Sequence, residues 1–172
     1  MKKILTALFL SYSIFAISQV TTQTQTNNWR VGGGIGLGMG SNDSFNFNIS
    51  PFIGYEITPQ VEAGISAGYQ YSKWKYSKTN VFNIGPYLNA YPFQGLFLRA
   101  HYEYYTGNIK YRVDSNYSEN FEENALWLGG GYRSTGKVQF YTGLMYNVLY
   151  KEDDSKIFSN GLRPIVGISV AL

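Results

Sequence analysis

The chain has 172 residues, enough for one domain, and holds no cysteine, so no disulfide framework can brace it. Charged residues make up only 15% and aromatic residues 17%, with 19 glycines, a balance that favours tightly packed sheet over helix. The formal net charge of +3 is too small to suit nucleic acid or an acidic polymer as partner.

The first residues read as a secretory signal peptide. Lys2 and Lys3 form a basic start, Ile4 to Ile17 run almost wholly apolar or small, and Ala16 and Ser18 make a small-x-small cleavage site before Gln19. The run is too short for a spanning helix, which needs about 20 residues. Loss of residues 1–18 would lower the net charge from +3 to +1. Residues 19–28, rich in Thr, Gln and Asn, show no apolar period and are expected to be a flexible lead-in. A barrel domain is expected over 29–172.

From Trp29 onward apolar and polar positions alternate, the period of a strand. Segment one, Trp29 to Gly40, sets Val31, Ile35 and Leu37 against a row of glycines. Period two and the lack of a Gly-Lys-Ser/Thr run exclude a phosphate-binding loop. Segments two and three, Phe45 to Glu56 and Val61 to Ser72, flank a tight turn at Pro59. Segment four runs from Asn80 to Tyr91 and segment five from Leu96 to Tyr105. Segments six, seven and eight are Asn124 to Arg133, Val138 to Tyr150 and Leu162 to Leu172.

Strands of about ten residues suffice to cross a bilayer when tilted. The links near Pro59, Pro92 and Gly136 are short. The connections Ser41–Ser44, Lys73–Thr79, Thr106–Glu123 and Lys151–Gly161 are mostly longer and more polar. This alternation fits an all-β, eight-stranded antiparallel up-and-down transmembrane β-barrel with both termini on the short-turn side. No stretch after residue 18 could span as a helix, and a sheet entering lipid must close on itself. A soluble barrel would carry Lys and Glu outward. Here the polar face is mainly Gly, Ser, Asn and Gln, and the apolar face carries no charge. Trp29, Tyr55 and Tyr132 fall near the short turns. Phe45, Tyr69, Tyr71, Tyr102, Tyr104, Tyr146 and Tyr150 fall near the other ends, as two interfacial aromatic belts would.

Over Trp29 to Leu172 the chain resembles the small outer-membrane β-barrel families, both the eight-stranded OmpA/OmpX kind and the porin-like barrels common in the Bacteroidetes lineage. Gly167, Val170 and Leu172 resemble the terminal-strand signal of such barrels, although the chain ends in Leu, not Phe or Tyr. The resemblance implies the bacterial outer membrane, contact with its lipids including lipopolysaccharide, insertion by the barrel-assembly machinery, and a monomer.

The inward face holds the candidate site, a lumen charge network of Arg30, Glu56, Glu62, Arg99, His101, Glu103 and Arg133. Arg30 can reach Glu56, and Glu62 lies across the tight turn. Side chains fill the interior of an eight-stranded barrel, so the network is expected to brace a plugged lumen, with Glu56, Glu62 and Glu103 serving Arg30, Arg99 and Arg133. A hydrolase would need a serine beside His101, and segment five offers none. Ser50, Ser66 and Ser169 lie on other strands in a register the sequence does not give. One histidine and no cysteine argue against zinc, and Glu152, Asp153 and Asp154 lack the spacing of a calcium loop. The expectation is a non-enzymatic barrel without cofactor, structural or surface-interacting. The alternatives are a narrow channel for small solutes or hydrophobic ligands, and an enzyme acting on lipid A or phospholipid.

Overall fold

The structure is a computed structural model and describes residues 27–40, 44–111, 117–158 and 160–172. The expected signal peptide and most of the lead-in lie outside the described residues. The architecture is a closed barrel of eight strands, each antiparallel to its neighbours in chain order: β1 Trp29–Gly40, β2 Ser44–Thr58, β3 Val61–Lys73, β4 Ser77–Ala90, β5 Leu96–Tyr111, β6 Ser118–Arg133, β7 Val138–Asn147 and β8 Leu162–Ala171. β1 closes on β8, so the sheet is a ring.

The eight strands stand where the alternation puts them, but several bounds differ. The largest correction concerns Thr106–Glu123, expected as a long loop. Most of it is paired hairpin, with Thr106 opposite Glu122 and Lys110 opposite Ser118. The alternation simply continues there: Tyr105 and Phe121 are buried and Ile109 packs against the same core, while Thr106 and Glu122 face out. Lys73–Thr79 also shrinks, to the connection 74–76, and Ser44 already belongs to β2. At the far end β7 stops at Asn147, not Tyr150. The Asn147 side-chain carbonyl accepts from the Leu126 and Leu149 N–H groups at 3.2 and 3.1 Å and turns the chain out of the ladder. Only 148–161 remains a long connection on that side.

Inward and outward faces are chemically opposite. The outward positions form an apolar surface that includes Ile53, Ile65, Ile84, Leu88, Leu98, Leu128 and Leu144, each between 43% and 57% exposed. Large apolar surface left exposed marks contact with lipid or another partner. Among the described residues no helix is long and apolar enough to cross a membrane. Inward, glycines make room for rings. A Cβ on Gly32 would lie 2.6 Å from the Phe52 ring, one on Gly64 2.6 Å from the Tyr87 ring, and one on Gly167 2.3 Å from the Tyr141 hydroxyl. Phe52, Tyr87, Tyr91, Phe97 and Tyr141 thereby form a buried cluster across the half of the lumen nearest the short turns. A second cluster, Val81, Tyr105, Phe121, Ala125, Trp127 and Met145, lies in the other half. Ile157 and Phe158 from the long connection pack onto it. The Phe158 ring lies 5.1 Å from both Tyr105 and Trp127, edge to face.

Most of the expected belt residues stand on the outer surface at the two ends, but Tyr102 and Tyr104 fall in the middle of β5, because that strand runs on to Tyr111. Trp29 packs edge-on to Tyr55 at 5.1 Å, and Tyr132 is exposed on the same rim. Toward the other rim Phe45 meets Tyr71 at 6.3 Å, and Tyr69 lies 4.8 Å from Phe82 and donates to Asn80. Tyr102 donates to Asn124. Tyr104 follows on β5, and Tyr146 is exposed on β7. Tyr150 belongs to the long connection. Phe93, Trp74 and Tyr76, absent from the expected belts, add exposed rings at the two ends.

Candidate functional site

Two polar constellations occupy the lumen, one in each half. The first is built where β1, β2 and β3 meet at the tight turn. Register places Glu56 opposite Glu62, two like charges that repel unless a cation stands between them. Arg30, one strand over, supplies it: its guanidinium donates to Glu56, and its Nε lies 3.4 Å from Glu62. Arg133 stands 4.0 Å from Glu56 with its guanidinium 3.5 Å above the Tyr91 ring. Arg30 and Glu62 are almost wholly buried. Glu62 is further satisfied by hydrogen bonds from Tyr87 at 2.7 Å, Tyr91 at 2.6 Å and Asn89 at 3.1 Å. A buried carboxylate is stable only with such a set of donors. The void left among these groups is about 10 Å³, room for about one water.

Arg99 departs from expectation. Among the described residues it makes no ion pair. Its Nε donates to the Asn89 carbonyl at 2.7 Å, and its guanidinium lies 4.8–5.9 Å from the rings of Tyr87, Tyr141, Phe97 and Phe52. Cation–π attraction replaces the expected carboxylate.

The second constellation surrounds Glu103. The acid accepts from Asn83 at 2.6 Å, Tyr105 at 2.6 Å and Arg163 at 2.6 Å. Arg163, not Arg99, is therefore its cation, reaching across from β8 and stacking 4.0 Å over Trp127. Alternation along β8 sets Arg163 on the inward face but cannot show its partner, because β5 and β8 are neighbours neither in sequence nor in the ring. The same distance hid Ser66, which meets His101 Nε2 at 2.7 Å.

Ser66 and His101 invite comparison with a hydrolytic relay, in which the acid holds the histidine nitrogen remote from the serine. Here Glu103 Oε1 lies 3.7 Å from the same Nε2 that meets Ser66, and the ring also bonds the Gly85 backbone. Glu103 thus competes with the serine and does not orient the ring behind it. The Glu152–Asp154 stretch is exposed, with Asp154 3.6 Å from Lys151.

A cavity of about 420 Å³ lies above the Arg99 aromatic cage. Ser66, His101, Glu103, Arg163, Tyr87 and Phe158 are among its walls. No family model matches the chain, and no curated protein matches it.

Proposed function

We propose that the protein is a non-enzymatic barrel of the bacterial outer membrane, with a structural or surface-interaction role and a lumen closed to the passage of solutes. The observation that carries this reading is the pairing of an apolar outer wall with an interior packed by rings and ion pairs in the half nearest the short turns. In water that outer face would be costly, whereas in lipid it needs no cover. The polar interior would in turn be costly in lipid unless its charges were paired from within, and Arg30 pairs with Glu56 and Glu62 while Arg163 pairs with Glu103. The resemblance to small outer-membrane barrels agrees in strand number and topology.

Closure rests on the half nearest the short turns, where Phe52, Tyr87, Phe97 and Tyr141 crowd around Arg99 and the void holds about one water. A hydrated ion would have to displace those rings. Current across a planar bilayer containing the refolded protein tests it, with insertion verified by protease protection. Baseline current supports the closed barrel, and steady ion-selective steps overturn it in favour of a channel. Reaction of Ser66 with a fluorophosphonate would overturn the non-enzymatic part.

A further inference from the structure

The ring of strands is not equally closed along its height. β1 and β8 pair at Arg30–Ala171, Val31–Val170, Gly32–Ser169 and Gly33–Ile168, all in the half nearest the short turns. Beyond that, Ile35 to Gly40 pair with β2 alone, and Leu162 to Gly167 pair with β7 alone. The seam is open in its upper half. Pro164 stands on this free edge, a position suited to a residue with no N–H to donate. Ile35, Leu37 and Val166 beside the seam are 72%, 73% and 70% exposed, well above the 43–57% of the wall residues named above. The cavity reaches this opening: Ile35 and Val166, outward residues, line it together with His101 and Arg163.

The cavity is polar and cationic inside and apolar at its side exit. Two guanidinium groups, Arg99 and Arg163, face one carboxylate, Glu103. Arg99 has no acid partner among the described residues, and Arg163 Nε is buried without a hydrogen-bond partner. Below, the aromatic cage closes the floor. Above, Phe158 covers the mouth. The remaining way out is sideways, between β1 and β8. We propose that this cavity binds a single-chain amphiphile with an anionic headgroup, the headgroup held between Arg99 and Arg163 and the chain leaving through the β1–β8 seam into the outer lipid layer. Its size falls in the usual range for ligand pockets, about 300–1,000 Å³. The inference rests on the membrane reading given above.

Trp127 reports on the headgroup position, since its ring stacks on Arg163. The other tryptophans, Trp29 and Trp74, are exposed at the two ends and can be replaced by Phe. The protein is refolded into phosphatidylcholine vesicles and titrated with 2-bromohexadecanoate, whose bromine quenches a nearby indole. Saturable quenching of Trp127 is expected, with half-saturation raised about tenfold or more in Arg99→Gln and in Arg163→Gln. Arg99→Gln leaves no buried acid orphaned, so it keeps the test decisive if Arg163→Gln does not fold. Neither 1-bromohexadecane, which lacks the charge, nor 2-bromoacetate, which lacks the chain, should match it. Competition with hexadecanoate and with hexadecyl phosphate then assigns a carboxylate or a phosphate headgroup, and failure of both to compete counts against the proposal. Equal quenching by 1-bromohexadecane, or none by the bromo acid, overturns the amphiphile site. If brominated phosphatidylcholine still quenches Trp29 and Trp74 in the parent protein, the membrane reading survives that failure. If it does not, both fall together.

Discussion

Arg163 on β8 donates to Glu103 on β5 at 2.6 Å, joining two strands that share no edge. A brace of this kind ties opposite walls of the ring directly, where the backbone ladder ties only neighbours. Glu103 is almost wholly buried, so removing its cation leaves a charge the lumen cannot solvate. Arg163→Met should lower unfolding free energy by about 3–5 kcal/mol, measured in urea. Replacing both partners together, with Glu103→Leu added, should recover part of the loss. Equal losses in the single and double variants would contradict a direct pair.

Glu62 and Arg99 are expected to differ in the opposite sense from their billing as members of one network. Glu62 gathers Tyr87, Tyr91, Asn89 and Arg30 around it, so Glu62→Ala orphans several donors at once and should cost about 3–5 kcal/mol. Arg99→Ala removes cation–π contacts and one hydrogen bond to Asn89, and should cost about 1–3 kcal/mol. Urea midpoints of the two variants rank them, and a larger loss at Arg99 would show that a carboxylate pairs with it after all.

Much of this barrel was legible because its signal is periodic. Alternation of Val31, Ile35 and Leu37 with glycines, or of Leu126 and Leu128 with Ala125 and Trp127, follows directly from pleat geometry. Adjacent-strand chemistry was legible too, since Arg30, Glu56 and Glu62 flank one hairpin and one neighbouring strand. The contacts across the lumen were not. Ser66 with His101, and Glu103 with Arg163, depend on how strands that share no edge face one another inside the closed ring, and alternation says nothing of that. The β5–β6 extension is hidden in the sequence for a different reason. Thr106, Gly107 and Asn108 are loop-prone residues, but Gly107 here serves Phe121, since a Cβ on it would lie 2.7 Å from that ring.

The two faces of the wall should fail by different physics. Leu144→Arg on the outer face should destabilise the barrel by about 2–4 kcal/mol in lipid if the residue lies near the midplane. In a detergent of short chain the penalty should shrink, because water reaches the guanidinium. Gly85→Ala should be severe in both media, since its added Cβ would sit 1.7 Å from the Tyr102 carbonyl oxygen. A medium-independent loss at Leu144 would contradict lipid contact.

The long connection should unlatch in a pH- and residue-specific way. Lys156 lies 2.5 Å from Glu119 and Ser155 donates to Glu123, which pins Ile157 and Phe158 over the mouth. The Glu119 carboxylate holds the Lys156 ammonium above the ordinary lysine range. A raised pKa means that this latch is present below the ordinary value and is lost as pH rises through the raised one. Each ring pair of Phe158 adds about 0.5–1.5 kcal/mol. Phe158→Ala should therefore speed hydrogen exchange across 148–161 more than Lys156→Gln does, and the Lys156 effect should fade in high salt. Exchange unchanged by Phe158→Ala would mean the connection is not held by the lumen.

The barrel is proposed to span the outer membrane with the short turns inside and the long connection outside, and cysteine labelling on intact cells tests this most directly. The chain has no cysteine of its own, so single probes are clean. Tyr117→Cys, on the β5–β6 hairpin side, should react with an impermeant maleimide on intact cells. Lys137→Cys, on the short turn between β6 and β7, should react only after the outer membrane is permeabilised. Labelling of 137 without 117 on intact cells, or recovery of the protein outside the outer-membrane fraction, would contradict the account.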